Sequence, residues 1–461
     1  MKKLRYIVAL WMAKLSIVAL KITRHSGTNF PGKLALKICP DFLKYIGKPA
    51  KIIGVTGTNG KTTVCNMIID MLESSGKKPL NNRKGSNINS GIATSLIQGA
   101  NGAGKCKYDL AVFEIDERSA LRIFPYVTPD YLVITNLFRD SMKRNAHTEY
   151  IANILSTYIP KSSKLILNAD DLISCRVAPE NERVYFGIDK MDSDIKECIN
   201  LINDIRVCPV CNGKLEYDYL RYHHIGKAHC TDCGLSSPEY DYHATAVDLD
   251  NMTMKFEDHN GKGTYKLLSE SIFNIYNMTT VISVFRELGY DHGQIAEMIE
   301  KVSIVKTRYN VTEVGDIKVI NQMAKENNAL GSSRAFDYVS SQKGDKELIL
   351  MMNCLGDEKH WSENTCWLYD CDFEFLNKED IKKIIVTGPR YKDYELRLQI
   401  AGVPAEKIAY TRHEMDAPAL LDFNKGESIY VFYGTDSINL GETVLKKVIS
   451  MAKEKEGINE N

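Results

Sequence analysis

The residues from Gly54 to Thr63 have types and spacing suited to binding the phosphates of a nucleotide. Backbone N–H groups of such a glycine-rich loop point at phosphate oxygens, a lysine reaches the β- and γ-phosphates, and the next hydroxyl binds Mg²⁺. We therefore expect Lys61 to contact phosphate in the catalysed reaction and Thr62 to bind Mg²⁺. The other residues of this predicted ATP-binding loop are Gly57, Thr58, Asn59, Gly60 and Thr63.

The segments on either side of the loop predict the strand and helix that it needs. An apolar run at 50–53 precedes the loop, and a helical pattern with Met67 and Leu72 on its apolar face follows. The match to the pattern GxxxxGK[ST] is incomplete, because Val55 stands where the first glycine is expected. A glycine-rich turn without ligand is the alternative, and the strand–loop–helix context favours nucleotide binding.

Further apolar segments predict a mostly parallel sheet and then a second domain. Strands are expected at 107–116, 131–136 and 164–168, alternating with helices. A second α/β pattern begins near residue 310, with strands expected at 318–320, 347–352, 383–387 and 428–433. The predicted fold class is therefore α/β, with a P-loop domain followed by a Rossmann-like C-terminal domain.

Carboxylates end the strand predicted at 107–116. Glu114 and Asp116 are two residues apart, so on one strand both would face the same side of the sheet. We expect Glu114 to bind Mg²⁺ and to act in catalysis, because ligands of such sheets gather at the carboxyl ends of strands. The alternative is an ion pair with Arg118 or Arg122.

Two further polar residues follow the next strand. Asn136 ends that strand and is expected to contribute to the ATP site. His147 comes shortly after, where it would ligate a second metal ion or, in the simpler interpretation, cap a helix at the surface.

Four cysteines have the spacing of a zinc site. Cys208 and Cys211 form one CxxC pair, and Cys230 and Cys233 form another after eighteen intervening residues. Four thiolates complete a tetrahedral Zn²⁺ site and leave no open position, so the predicted zinc is structural. The nearby histidines are expected not to bind the metal; they are His223, His224 and His229.

Composition narrows the class of function. The 461 residues contain 59 basic and 59 acidic side chains, and this balance disfavours nucleic acid as a partner. Apart from the zinc array the 12 cysteines are scattered, which favours a cytoplasmic protein with reduced thiols. The N-terminus predicts an amphipathic helix in place of a secretory signal, and this helix would dock on the protein body or lie on a membrane surface.

Several short segments occur in the order found in the Mur ligase superfamily, which the chain resembles over nearly its whole length. They are 57–63, the strand ending at Glu114, 135–136, 168–171, 274–277 and 307–309. More narrowly, the chain is similar to the MurT family, the synthetase subunits of lipid II isoglutaminyl synthases. That similarity is carried by 81–82, 138–140, the four cysteines and 367–374.

The resemblance implies an ATP-dependent ligase of peptidoglycan (cell-wall) biosynthesis. The α-carboxylate of D-glutamate in the lipid II stem peptide would become an acyl phosphate, which ammonia then attacks. A GatD-type glutaminase partner in a heterodimer would supply the ammonia, since nothing in this chain looks like a glutaminase domain. By the same resemblance Asn274 and Asn277 flank the adenine, and Asp171 and Arg308 lie near the ribose or phosphates.

One position departs from the MurT pattern. The family places an aspartate three residues before the tryptophan of the Trp-x-Tyr-Asp run, where it would complete the partner's Cys–His pair, and this chain has Asn364 there. An amide orients an imidazole but cannot stabilise its positive charge. Glu363 or Asp357 would substitute for the missing carboxylate, with Glu363 favoured, unless the segment 353–374 only docks the partner.

The sequence predicts three domains or segments and leaves two alternatives to amidation. We expect an N-terminal helical segment at 1–48, a central ATP-binding domain at 49–306 with a zinc-ribbon insertion at 205–240, and a C-terminal domain at 307–461. The alternatives to amidation are a single-chain Mur-type amino-acid ligase and a zinc-ribbon ATPase or scaffold without amidation activity. The protein is expected in the cytoplasm, at the inner face of the membrane if the N-terminal helix binds lipid.

Overall fold

The computed structural model describes residues 2–24, 27–139, 147–302, 309–324, 328–352, 365–424, 426–434 and 437–458. These residues fall into two units. The first contains 2–139, 147–199 and 203–302, and the second contains 200–202 and 309–458.

The first unit is built on a nine-stranded sheet and a separate two-stranded hairpin. Its strands are β1 (Lys51–Thr56), β2 (Leu80–Asn81), β3 (Leu110–Glu114), β4 (Tyr131–Ile134), β5 (Lys164–Asn168), β6 (Arg183–Ile188), β7 (Leu215–Tyr222), β8 (Ile225–Cys230), β9 (Tyr242–Asp248), β10 (Thr253–Asp258) and β11 (Gly261–Lys266). The sheet order is β11-β10-β9-β6-β5-β4-β1-β3-β2, and β7 pairs with β8.

Each neighbouring pair is parallel in the part of the sheet with the order β2-β3-β1-β4-β5-β6-β9. Beyond β9, the strands β10 and β11 extend the sheet with antiparallel pairing. The three strands predicted for this sheet are confirmed as β3, β4 and β5. The parallel arrangement brings the carboxyl ends of β1, β3 and β4 to one edge, because β1 lies between the other two. The predicted phosphate loop follows β1 at this edge, and Asn136 follows β4.

Helices cover this sheet and complete its apolar core. They are α1 (Lys2–Ile22), α2 (Phe30–Ile38), α3 (Phe42–Tyr45), α4 (Lys61–Ser74), α5 (Asn89–Gly99), α6 (Ala120–Ile123), α7 (Thr148–Tyr158), α8 (Ile272–Glu287) and α9 (His292–Lys301). The predicted N-terminal helix is confirmed as α1. α8 and α9 are separate helices, because Asp291 starts α9 with a capping box to Gln294.

The second unit is a six-stranded sheet with helices. Its strands are β12 (Tyr309–Val314), β13 (Ile317–Met323), β14 (Lys346–Met351), β15 (Ile381–Thr387), β16 (Ile408–Thr411) and β17 (Ser428–Tyr433), in the order β12-β13-β17-β14-β15-β16. Its helices are α10 (Ala329–Ser341), α11 (Trp367–Asp370), α12 (Tyr391–Ile400) and α13 (Ile438–Lys455). All four strands predicted here are confirmed, and β12 and β16 are additional edge strands.

Candidate functional site

The predicted phosphate loop connects β1 to α4 through two glycines with positive φ. Gly57 has a φ of 124° and Gly60 a φ of 86°. A Cβ on Gly57 would lie 2.3 Å from Oγ1 of Thr135, and one on Gly60 would lie 2.3 Å from Oδ1 of Asn277. Both the backbone angle and the close approach of neighbouring side chains therefore require glycine here.

The end of β4 holds the loop in place. Asn136 accepts a hydrogen bond from the backbone N–H of Asn59 at 3.0 Å and donates to the carbonyl of Asn59 at 3.1 Å. Thr135 donates to the same carbonyl at 2.6 Å, and Phe138 N–H donates to the hydroxyl of Thr58 at 2.9 Å. The predicted ATP residue Asn136 therefore lies against the loop and fixes its backbone.

Lys61, the first residue of α4, forms a buried ion pair. Its Nζ lies 2.8 Å from Oε1 of Glu117, and the two side chains are only 14% and 10% exposed. Nζ also donates to the carbonyls of Gly57 and Thr58. Burial lowers the pKa of Lys61, but the carboxylates of Glu117, Glu114 and Asp116 outweigh it, so the net shift is upward.

Sequence analysis missed Glu117. Burial raises the pKa of this carboxyl group, and the charge of Lys61 opposes the rise. The available signal was a third carboxylate directly after Glu114 and Asp116, near the end of a strand next to the P-loop.

The two predicted Mg²⁺ ligands line one cavity of about 210 Å³. Thr62 and Glu114 are both in its wall, together with Asn87, whose amide donates to Oε1 of Glu114 at 2.8 Å. The end of β3 is held by Asn82, which exchanges two hydrogen bonds of 2.9 Å with the backbone of Glu114. A hydroxyl and a carboxylate facing one polar cavity fit the oxygen ligands that Mg²⁺ prefers.

Asp116 does not share the strand with Glu114, so that expectation was wrong. β3 ends at Glu114, and Asp116 accepts hydrogen bonds from the backbone of Arg118 and Ser119 at the start of a 3₁₀ turn. Its side chain caps this turn because the chain leaves the sheet directly after the strand.

The predicted adenine residues Asn274 and Asn277 lie on the first turns of α8. Asn277 approaches Gly60, and its amide donates to Oδ1 of Asn274 at 3.3 Å. Asn274 in turn donates to the hydroxyl of Ser269 at 3.1 Å. The structure therefore brings these two asparagines to the phosphate loop.

Asp171 is completely buried behind the loop. Its carboxylate accepts hydrogen bonds from the backbone of Leu137 at 2.7 Å and of Ile173 at 2.9 Å. Its Oδ1 also lies 3.2 Å from Nε2 of His224, which belongs to the turn between β7 and β8. The ring of His224 packs on Phe138 with the centroids 4.4 Å apart. The β7–β8 hairpin therefore contacts the segment after β4, which holds the predicted phosphate loop.

A buried arginine anchors the same hairpin. Arg221 on β7 lies 3.3 Å from Oδ2 of Asp170 and 2.9 Å from Oδ2 of Asp194. Tyr276 of α8 donates to Asp170 at 2.6 Å. The hairpin is therefore fixed to the sheet and to α8 by satisfied polar contacts.

The four cysteines of the predicted zinc site come together. The sulfurs of Cys208, Cys211, Cys230 and Cys233 all lie within 4.8 Å of one another. Two of the pairs are 3.6 and 3.5 Å apart, close to the ~3.8 Å that tetrahedral zinc–thiolate bonds impose.

Backbone N–H groups also approach the sulfurs. Those of Val210, Gly213 and Asp232 lie 3.4 Å from cysteine sulfurs. The donor set fits a closed structural Zn²⁺ site.

His147 was expected to ligate a second metal ion or to cap a helix at the surface. His147 is exposed at the N-cap of α7 and makes no capping hydrogen bond with its side chain. Arg308, Asp357, Glu363 and Asn364 lie outside the described residues.

Comparison with known proteins identifies the family. A family model described as Mur ligase middle domain matches residues 55–204, and one described as MurT ligase C-terminal matches residues 326–435. The lipid II isoglutaminyl synthase (glutamine-hydrolyzing) subunit MurT of Staphylococcus aureus (strain COL) is 31% identical over 87% of this chain and 89% of the relative. The chain belongs to the MurT family.

Other relatives agree with this assignment. The subunit MurT of Streptococcus pneumoniae (strain ATCC BAA-255 / R6) is 30% identical over 84% of this chain and 85% of its own. A solved pseudomurein peptide ligase type C from Methanothermus fervidus superposes with a TM-score of 0.65 at 21% identity, covering 89% of this chain and 81% of that one. The Mur ligase-like fold is therefore confirmed, and this MurT-family chain is a ligase of the Mur family, whose members use ATP and Mg²⁺.

Proposed function

We propose that the protein uses ATP to amidate the α-carboxylate of D-glutamate in the lipid II stem peptide, giving D-isoglutamine. The observation that carries this proposal is the 31% identity over 87% of the chain to a subunit named for lipid II isoglutaminyl synthesis. The match of the MurT C-terminal model to residues 326–435 supports it, because this part distinguishes the chain from other Mur ligases.

The proposed chemistry has two steps. An oxygen of the glutamate carboxylate attacks the γ-phosphorus of ATP, and the bond to the ADP oxygen breaks. Ammonia then attacks the carbonyl carbon of the acyl phosphate; phosphate leaves, and one proton passes from nitrogen to phosphate. Positioned cations lower the barrier of the first step, because two negatively charged groups must meet.

The residues around the P-loop supply the required charges. Lys61 begins α4, so its ammonium lies where the helix N-terminus and the loop N–H groups favour phosphate. Thr62 and Glu114 would hold Mg²⁺, because both face the 210 Å³ cavity. The ion would offset the charge on the transferred phosphate.

The nucleotide would extend from the loop towards the start of α8. Asn277 lies beside Gly60 and contacts Asn274, and these two asparagines would flank the adenine, with Arg308 contributing to the ribose or phosphates. Asp171 is completely buried and already accepts backbone hydrogen bonds, so it would act by holding the residues after β4. Zinc bound by the four cysteines would be structural.

A glutaminase subunit of GatD type would supply ammonia in a heterodimer. Glu363, Asp357 or Asn364 would contribute to the partner's Cys–His pair. We place this complex in the cytoplasm, where ATP and the lipid-linked acceptor meet. In the described part of the chain, no helix is long and apolar enough to cross a membrane.

Reconstitution tests the proposal. The chain and a glutaminase partner, given ATP, Mg²⁺, glutamine and lipid II, should release ADP and convert the glutamate carboxylate to an amide detectable by mass spectrometry. ATP hydrolysis with unmodified lipid II would contradict the proposal. ADP release that needs an amino acid and no partner would support the single-chain ligase instead.

A further inference from the structure

Helix α1 uses one face to attach to the first unit. Tyr6, Ala9, Leu10 and Ala13 are buried, and the ring of Tyr6 packs against that of Phe42 with the centroids 5.3 Å apart. Lys14 donates to the backbone carbonyls of Ile97 and Ala100 at 3.1 and 2.7 Å. The expectation that the helix docks on the body of the protein is thus confirmed for this face.

The opposite face of α1 exposes an unbroken apolar stripe. Its members recur every three or four residues over the ~30 Å length of the helix. They are Leu4 (67% exposed), Ile7 (45%), Val8 (44%), Trp11 (51%), Leu15 (64%), Val18 (54%) and Ile22 (77%). We call this set the α1 stripe; apolar surface of this extent is typical of a binding site.

Basic side chains predominate along the N-terminal sequence up to Asp41, whose carboxylate lies close enough to Lys2 to interact with it. The first 40 residues contain eight basic side chains and no acidic one, although the whole chain has a formal net charge of +0. Lys2, Lys3, Lys21 and Arg24 are exposed on or directly after α1. A helix with an apolar stripe and surrounding lysines is suited to the interface of a bilayer that contains anionic lipid.

We propose that the α1 stripe binds the surface of an anionic membrane, with the helix lying in the plane of the interface. Apolar side chains would enter the acyl-chain boundary while the lysines contact lipid phosphates. A second copy of the chain is a poorer occupant, because it would bring a second set of uncompensated positive charges to the same contact. Acceptance of a lipid-linked substrate would give the contact a purpose, but the proposal stands on α1 alone.

Vesicle binding by the full chain tests the inference without any catalysis. Phosphatidylcholine vesicles with and without 30% phosphatidylglycerol, and free of lipid II, are mixed with protein, and the bound fraction is measured by sedimentation. We expect the anionic vesicles to bind at least tenfold more protein than the neutral ones, and 0.5 M NaCl to reduce that binding several-fold.

Substitutions in the stripe provide the matched comparison. Trp11→Glu and Leu15→Glu should each reduce binding about tenfold, while the fold is kept because both side chains are exposed. Leu249→Glu is the control, since Leu249 is 44% exposed on a turn far along the chain from α1. Equal binding by the stripe variants and the control variant would overturn the proposal.

A depth measurement separates insertion from simple charge attraction. Lipids brominated on the acyl chain should quench the fluorescence of the wild-type protein, and Trp11→Phe should keep binding while losing most of the quenching. Unquenched fluorescence in bound wild type would overturn the inference, as would a lipid-free dimer in sedimentation velocity that Leu15→Glu abolishes. Neither result would affect the proposed amidation, which is measured separately.

Discussion

The P-loop lysine is held by a buried carboxylate. Lys61 and Glu117 are nearly enclosed, so each depends on the other to balance its charge. A phosphate group entering the loop would compete with Glu117 for the ammonium. Glu117 therefore balances the charge of Lys61 and lies close enough to compete with phosphate for its ammonium group.

A double substitution separates stability from catalysis at this pair. Lys61→Met should lower the free energy of unfolding by roughly 2–3 kcal/mol, because Glu117 would be left buried and unpaired until it takes a proton. It should also lower the ATPase rate of the complex at least a hundredfold. Lys61→Met with Glu117→Gln should recover most of the stability and none of the rate. Thermal unfolding and ADP release measure the two effects, and recovery of activity in the double variant would contradict this account.

A buried carboxyl group in the second unit predicts a pH effect on stability. Glu347 on β14 is fully buried and accepts hydrogen bonds from the backbone of Asp422 and Phe423, and burial raises its pKa to about 7. The folded state therefore holds this proton above 4.5, where the unfolded chain releases it, so stability falls as the pH rises from 4.5 to 7.

Glu347→Gln tests that titration. The wild type should lose up to about 3 kcal/mol of unfolding free energy from this group between pH 5 and 8, and the variant should lose much less. Urea unfolding of both proteins at the two pH values gives the comparison. Identical pH profiles would show that Glu347 does not titrate in this range.

The sequence was sufficient to predict the position of residues whose surroundings are local. The order of glycine, lysine and threonine between a strand and a helix is enough to locate Lys61 and Thr62. Glu117 and His224 were missed as members of the site because their contacts are tertiary. His224 is 53 residues from Asp171 in sequence, and no local pattern relates them.

Among the elements, the hairpin β7–β8 connects the four-cysteine cluster to the residues that hold the predicted phosphate loop. Cys230 ends β8, and the turn before β8 places His224 against Asp171, which holds the backbone of Leu137. The CxxC spacing was enough to predict that the four cysteines cluster, because the spacing within each pair is a local property. The contact of the hairpin with Phe138, in the segment after β4, was not predicted, because an insertion's docking face depends on packing that spacing does not encode.

Histidine substitutions in this hairpin distinguish support of the nucleotide loop from zinc binding. His224→Ala should weaken binding of a non-hydrolysable ATP analogue about fivefold, the value of one buried hydrogen bond, without changing zinc content. His229→Ala is the matched control, because the side chain of His229 is 42% exposed on β8 and lies near the carboxylates of Glu216 and Asp218. Calorimetry and metal analysis measure the two properties, and equal affinities for the two variants would contradict a role of the hairpin in the ATP site.

Substitution of the clustered cysteines should lower both the zinc content and the affinity for nucleotide. Cys211→Ser with Cys233→Ser alters the two exposed cysteines of the cluster, and we expect loss of zinc, a lower melting temperature and weaker nucleotide binding. Cys106→Ser is the control outside the cluster and should keep all three. Full affinity for the nucleotide in zinc-free protein would show that the hairpin holds β4 without the metal.

For the whole molecule, the proposed division of labour between this chain and a glutaminase partner predicts that the two nitrogen sources, ammonium and glutamine, have different requirements. Free ammonium at alkaline pH should support amidation by this chain alone, whereas glutamine should support it only with the glutaminase present. The ligase chemistry belongs to the P-loop unit in our proposal, and the family model of the C-terminal part matches residues 326–435. Changes in the segment 357–364, which we propose serves the partner, should therefore lower amidation from glutamine and leave amidation from ammonium unchanged.

Substitutions at 357–364 test this separation. If the carboxylate of Glu363 supports the partner's Cys–His pair, Glu363→Gln should reduce glutamine-driven amidation at least tenfold. If the carboxylate of Asp357 does so instead, Asp357→Asn should have this effect. In either case the ammonium-driven rate should stay within twofold. Asn364→Asp should raise the glutamine-driven rate, because a carboxylate stabilises an imidazolium better than an amide does. Glu406→Gln, at an exposed position of the second unit, is the control. Parallel changes with both nitrogen sources would mean that the segment acts on the ligase reaction itself.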